Sequence, residues 1–243
     1  MNYIAQLSLL GLFLGAAVSL ARRLPKRLAL TVNAFSGGAI LFFLITTVSD
    51  VVIRLAELPK IGQAGPGYAV GSWIFAAATL LGIFGIPLLL IFIVKEQRRS
   101  VVIAIALGLF NLAIAMKFAG EIFYGLSAVT LSAIALLTGL FVLEGIVIGS
   151  PFISQKPAPA QVISLVIAAV LAALAGFNIP GGAAPDYVIP FAEAVAAGFF
   201  LFYLPFSLTA GTNPNDVKWH FIGLLTGLCL TGSVVTALAL VAG

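Results

Sequence analysis

IFYGLSAVTLSAIALLTGLFVL, residues 122–143, runs for 22 positions without a charged side chain and is bracketed by Glu121 and Glu144. A soluble helix of that length would present a polar face to water. Here leucine, isoleucine, alanine, valine and phenylalanine fall on every side, and about 20 such residues are what a helix needs to cross a bilayer. Three further uncharged stretches, 61–94, 157–185 and 194–215, are as long or longer. In lipid only helices and closed barrels satisfy every backbone group. Barrel strands alternate apolar and polar residues over about ten positions, and these stretches do not. The chain is therefore expected to be an all-α membrane protein.

The composition agrees. Of 243 residues, 62% are hydrophobic and 8% charged, with a mean hydropathy of +1.20. A soluble domain carries roughly a quarter charged residues. Punctuation at Leu24-Pro25, Gly65-Pro66-Gly67, Lys156-Pro157-Ala158-Pro159, Pro180-Gly181-Gly182 and Asn213-Pro214-Asn215-Asp216 divides the sequence. It gives helices over about 3–21, 28–54, 70–94, 101–123, 127–152, 161–177, 188–209 and 218–241, an eight-helix bundle forming a single transmembrane domain, 1–243. Met1 to Gln6 carry no Lys or Arg, so no cleavable leader is expected.

Charge placement sets the expected orientation. Alternate connections hold Arg22, Arg23, Lys26 and Arg27, then Lys95, Arg98 and Arg99, then Lys156, then Lys218. The opposite connections hold only Arg54 and Lys60. The positive-inside rule puts the first set in the cytoplasm and both termini on the extracytoplasmic side. Gly11/Gly15, Gly145/Gly149 and Gly223/Gly227 have the small-xxx-small spacing that lets membrane helices approach closely. The segment 33–43, Asn-Ala-Phe-Ser-Gly-Gly-Ala-Ile-Leu-Phe-Phe, is echoed by 194–203, Ala-Val-Ala-Ala-Gly-Phe-Phe-Leu-Phe-Tyr. An internal inverted repeat would produce that echo, and so would chance similarity of two apolar segments.

Ionisable groups inside a membrane are functional candidates by default. The fourth helix carries Asn111, Lys117 and Glu121, and the fifth carries Glu144. Phe110, Ile114, Lys117 and Glu121 fall on one face at 100° per residue. Lys117 and Glu121 are spaced to pair. Lys117 is the basic residue placed to neutralise Glu144, whose carboxylate otherwise needs donors or a proton. The competing arrangement sends Lys117 outward and leaves Glu144 against Asn111 or backbone. Asp50 and Glu193 are expected at solvated helix ends, His220 as an interfacial anchor beside Trp219, and Cys229 as a packing residue. One cysteine and one histidine make no soft metal site and no nucleophile–base set, so neither enzyme activity nor a cofactor is expected. No basic patch with interleaved aromatics points to nucleic acid.

The order and spacing of these segments resemble the ZIP family of zinc and iron transporters over most of the chain. Phe35-Ser36-Gly37-Gly38 is similar to part of that family's second helix. Phe110-Asn111-Leu112 through Met116-Lys117 lies at its fourth-helix ligand run, Leu140 through Gly145 at its fifth-helix run, and Ala197-Gly198-Phe199-Phe200-Leu201-Phe202-Tyr203 at its penultimate helix. The resemblance implies an eight-helix transporter with a metal site between helices four and five, helped by a carboxylate on helix six. Position by position the ligands depart. Phe110, Ile114 and Leu140 stand where ligands are expected, Asn111 and Glu144 are kept, and the sixth helix around Ala168–Ala173 has no carboxylate. Two ligands cannot hold a dehydrated divalent cation, so bound divalent metal is not expected. The sequence reading is thus a ZIP-like cation or small-solute transporter whose path is lined by Asn111, Lys117, Glu121 and Glu144. The alternative is a non-transporting subunit that packs against partner membrane proteins, lipid or pigment. The lipid bilayer is the expected partner in either case, with a homo-oligomer or other membrane subunits left open.

Overall fold

The structure, a computed structural model, describes residues 7–17, 24–62, 77, 79, 81–85, 88–89, 99–118, 128–153, 159–179, 188–208 and 216–242; the side chains of 54–62, 99–100, 117–118, 128–130, 206–208 and 242 are outside that description. Among the described residues every regular element is helical. In chain order they are α1 (Leu10–Ala17), α2 (Lys26–Gly62), a π-helical turn (Leu81–Gly85), α3 (Arg99–Phe118), α4 (Ala128–Gly149) with a 3₁₀ turn (Ser150–Phe152), α5 (Pro159–Asn178), α6 (Val188–Leu208) and α7 (Val217–Ala242). Five stretches are long and apolar enough to cross a membrane: Lys26–Ile53, Leu131–Phe152, Pro159–Asn178, Val188–Pro205 and Val217–Val241. Val101–Met116 of α3 is a shorter apolar helix. The chain is a helical integral membrane protein.

Element ends follow local chemistry. Pro159 opens α5, where its missing N–H would have had no helical partner. Pro151 sits where α4 tightens into the 3₁₀ turn. The second helix, expected over 28–54, continues to Gly62. Hydropathy marks the lipid-spanning part, whereas Leu55, Ala56, Glu57 and Leu58 are good helix formers that extend the hydrogen-bonded ladder beyond it.

Small residues let the backbones touch. A Cβ added at Gly15 would collide with the carbonyl of Val142 and come within 2.9 Å of the Gly145 Cα. One added at Gly145 would meet the Leu12 carbonyl and the Gly15 Cα, so the α1–α4 contact is glycine against glycine. On the other side Gly223 lies on the Thr31 carbonyl, Gly227 on the Phe35 carbonyl and Gly38 on the Leu224 carbonyl, closing α2 against α7. In α3 and α5, Gly108 meets Ala169 and Ala172, and Gly176 meets Leu112 and Ala115. In all three pairs the residue numbers rise together, so each pair is parallel. Of the expected small-xxx-small positions, Gly11, Gly15, Gly145, Gly223 and Gly227 thus lie at interfaces.

The chief contacts are α2 with α7, α3 with α5, α1 with α4, α3 with α6, α2 with α6, α4 with α7, and α6 with the π-helical turn; α2 with α4 is lesser. Most of these pairings, though not α4 with α7, are carried onto one another by exchanging α1 with α5, α2 with α6, α3 with α4, and the π-helical turn with α7. A glycine from each echoed segment lies on a neighbouring backbone: Gly38 on α7, and Gly198 on the Gly82 carbonyl of the π-helical turn.

Several hydroxyls inside the helices are satisfied at home, whereas Ser36, Thr79 and Thr231 are buried without such a bond. Thr138 Oγ1 donates to the Ile134 carbonyl at 2.8 Å, Thr226 to Ile222 at 2.7 Å, and Thr47 to Phe43. This is how serine and threonine are carried in lipid without a partner helix. Cys229, expected as a packing residue, faces outward on α7. The reason is that α7 is the least enclosed of the five long spans, with 17% of its window buried against 56% for α6.

Candidate functional site

Three helices deliver a phenylalanine to one point. Phe43 of α2 and Phe110 of α3 stand 4.8 Å apart, centroid to centroid, tilted at 47°. Phe200 of α6 stacks on Phe43 at 5.8 Å and meets Phe110 edge-on at 6.1 Å. These separations are those of favourable aromatic pairs, each contributing about 0.5–1.5 kcal/mol beyond area burial. Phe43 and Phe200 are wholly buried and Phe110 is 5% exposed. Leu140 and Phe141 of α4 are fully enclosed in the same core, with Ile114 one turn beyond Phe110 on α3.

Against this apolar centre lie Asn111 and Glu144, both with no exposed surface. Neighbouring positions explain the arrangement. Gly145 must face α1, because only glycine fits against Gly15, and this turns the preceding Glu144 toward a different neighbour. Phe110 takes the side of α3 that meets Phe43 and Phe200, and Asn111 is rotated about 100° from it. The Asn111 amide is the polar side chain nearest in effect to the Glu144 carboxyl. Among the described residues neither makes a side-chain hydrogen bond of ordinary geometry with any group, and the same holds for Ser36 Oγ on α2. Most buried polar atoms in folded proteins have a partner, and Thr47, Thr138 and Thr226 obey that rule. The α3–α4 pair does not.

The sequence candidates can now be placed. Asn111 and Glu144 are brought together. Phe110, Ile114 and Leu140, the positions where the family resemblance expects ligands, are core residues around them. Lys117 is the penultimate residue of α3, six residues or about 9 Å of helical rise beyond Asn111. Its side chain and all of Glu121 lie outside the described residues, so the expected Lys117–Glu144 pair does too. Among the described residues no three His, Cys, Asp or Glu side chains gather. Glu193, expected at a solvated helix end, is 2% exposed. It immediately precedes Ala194 and Val195, through which α6 packs on the π-helical turn. His220 is half-buried at the start of α7 beside Trp219, in keeping with an anchor.

Sequence reasoning did not single out Phe43 and Phe200. Their signal was present in the echoed segments, which place one on the second helix and one on the seventh, beside the run containing Phe110. No protein-family model matches the chain, and no curated protein matches it.

Proposed function

We propose that the chain is a diverged carrier with a ZIP-like eight-span arrangement, moving a cation or other small solute past the Asn111–Glu144 pair. One observation carries this reading: a carboxyl and a carboxamide, fully buried together in the middle of an apolar bundle, with no hydrogen bond of ordinary geometry to any described residue. Leaving such groups unsatisfied costs on the order of 1–3 kcal/mol each. Ionisable groups inside a membrane mark substrate and ion paths. The pair offers at most one negative charge and three oxygen atoms. That suits a proton, a singly charged cation or a hydrogen-bonding solute better than a dehydrated divalent metal, which takes four or more ligands.

Helix directions support eight spans. The α1–α4 and α2–α7 pairs are parallel, and short connections join α1 to α2 and α3 to α4. Parallel membrane helices need an odd number of crossings between them. Between α2 and α7 the helices α3 to α6 supply four, and the span expected from hydropathy over 70–94 would make the number odd. The helix pairings that map onto one another, together with the echoed segments of α2 and α6, support an inverted repeat, a common carrier construction. Lys26, Arg27 and Lys218 at one end of the α2–α7 pair favour the cytoplasmic assignment of that end.

Uptake into proteoliposomes tests the reading, with sodium, potassium, ammonium, protons, zinc and manganese offered in turn to wild type, Glu144→Gln and Lys117→Ala. Saturable uptake of a singly charged cation that Glu144→Gln abolishes is the expected outcome. Divalent uptake would overturn the charge argument.

The aromatic contact favours a second reading. Phe43, Phe110 and Phe200 fill the space where a path between helices two, four, five and seven would run, as a non-transporting subunit requires. If Phe110→Ala, folded and reconstituted, passes no offered solute, this second reading replaces the first.

A further inference from the structure

Lys26 and Arg27 begin α2, and Lys218 lies in the first turn of α7. The parallel packing of the two helices brings these ends together. Lys26 Nζ is 2.9 Å from Asp216 Oδ2, and the Arg27 guanidinium stands 5.7 Å from the centre of the Trp219 ring. Neither first turn contains an acidic residue. Among the described residues three cations against Asp216 leave two positive charges uncompensated, and the side chains of Arg27 and Lys218 are exposed. The Trp219 ring restrains the guanidinium by a cation–π contact while its N–H fork remains open.

Below these cations the outer face of α7 is apolar and uncovered. Lys218, Phe221, Ile222 and Leu225 follow i, i+3, i+4, i+7 and so form one stripe. Phe221 is 57% exposed, Ile222 38% and Leu225 42%. A charged head at the top of a bare apolar stripe, with tryptophan at the level of the interface, matches a phospholipid in size and polarity.

We propose that this end of the α2–α7 pair binds an anionic phospholipid, its phosphate held by Arg27 and Lys218 and an acyl chain lying along Phe221, Ile222 and Leu225. The two uncompensated charges select an anionic headgroup over a zwitterionic one. The apolar stripe selects a lipid over a free phosphate ion, which would leave it bare. Juxtamembrane cations each contribute attraction to an anionic leaflet, and here they are fixed in place by two packed helices. The inference is independent of the carrier reading, because no solute need cross.

The test uses the full chain purified in a neutral detergent. Thermal unfolding is followed with added phosphatidylglycerol, with phosphatidylcholine of the same acyl chains, and with inorganic phosphate. Phosphatidylglycerol is expected to raise Tm clearly more than phosphatidylcholine, and inorganic phosphate to leave it unchanged. Arg27→Gln combined with Lys218→Gln should lose at least half of that difference, whereas Lys156→Gln, at a different basic connection, should retain it. Equal shifts from the two lipids, or an undiminished difference in the double variant, would overturn the proposal. A shift from inorganic phosphate as large as that from phosphatidylglycerol would overturn the lipid assignment.

Discussion

The glycine seams and the aromatic centre are both tightly packed, but for different reasons. Along α1–α4 and α2–α7 the backbones themselves meet, because Gly15, Gly145, Gly38, Gly223 and Gly227 place nothing between them. At the centre, Phe43, Phe110 and Phe200 fill the space between α2, α3 and α6 with their rings, and the polar pair Asn111–Glu144 is enclosed beside them. A seam tolerates no added atom. The centre tolerates removal of atoms at a price in stability, and it is where chemistry can be altered without undoing the fold. The difference separates positions that hold the bundle together from positions that could do work inside it.

The comparison breaks most readily at the seam. Gly15→Leu would drive a side chain into the Val142 carbonyl and the Gly145 backbone, where no side chain can move aside. Overpacking in an ordinary core costs about 1–3 kcal/mol and sometimes more; with backbone on the receiving side, loss of the folded protein is expected, read as aggregation or absence of a monodisperse peak in detergent. Gly139→Ala on the same helix as Gly145 has nothing within 4 Å of the new methyl and should match or slightly exceed wild-type stability, since alanine is the better helix former by about 1 kcal/mol. If both variants behave alike, the seams are not what holds the helices.

Next in size is the centre. Phe110→Ala removes a ring that is 5% exposed and should destabilise by about 3–5 kcal/mol, measured by thermal or denaturant unfolding in detergent, with the protein still folded. In the carrier reading the same variant raises solute flux by opening the path. Glu144→Gln should alter stability by no more than ~1 kcal/mol, because no hydrogen bond of ordinary geometry is lost, while uptake disappears. A large loss of stability in Glu144→Gln would mean that the carboxyl has a structural partner and would remove its main qualification as a transport residue. The smallest effect is expected at the helix ends. Asp216→Asn breaks the pair with Lys26, whose side chain is 74% exposed, and should shift stability by roughly 0–1 kcal/mol.

Much of the architecture was legible because lipid leaves few choices. Long uncharged runs must be helices, so α4, α6 and α7 begin and end close to where hydropathy and the prolines put them. Glycines spaced four apart in an apolar helix have one structural use, and Gly11/Gly15 and Gly223/Gly227 serve it. The site was half legible. Asn111 and Glu144 stood out as polar residues in apolar helices, and the family resemblance put both at retained ligand positions. That they face each other, and that Phe43 and Phe200 join Phe110, depends on helices 67 and 90 residues away from α3's Phe110 in the chain, distances over which local pattern carries no information. Glu193 shows the same limit in reverse, because nothing near it in sequence indicates that it is buried.

By itself the sequence determined that this protein lives in the membrane as helices and which helix faces are smooth enough to touch, because burial of the backbone in lipid and the size of a glycine are local properties. Only the tertiary structure decided which faces meet, that a carboxyl and a carboxamide are enclosed together without other partners among the described residues, and that three phenylalanines close the space beside them. Those outcomes depend on how separate helices fill one another's surfaces, and complementarity of shape between distant segments is written in no single stretch of chain.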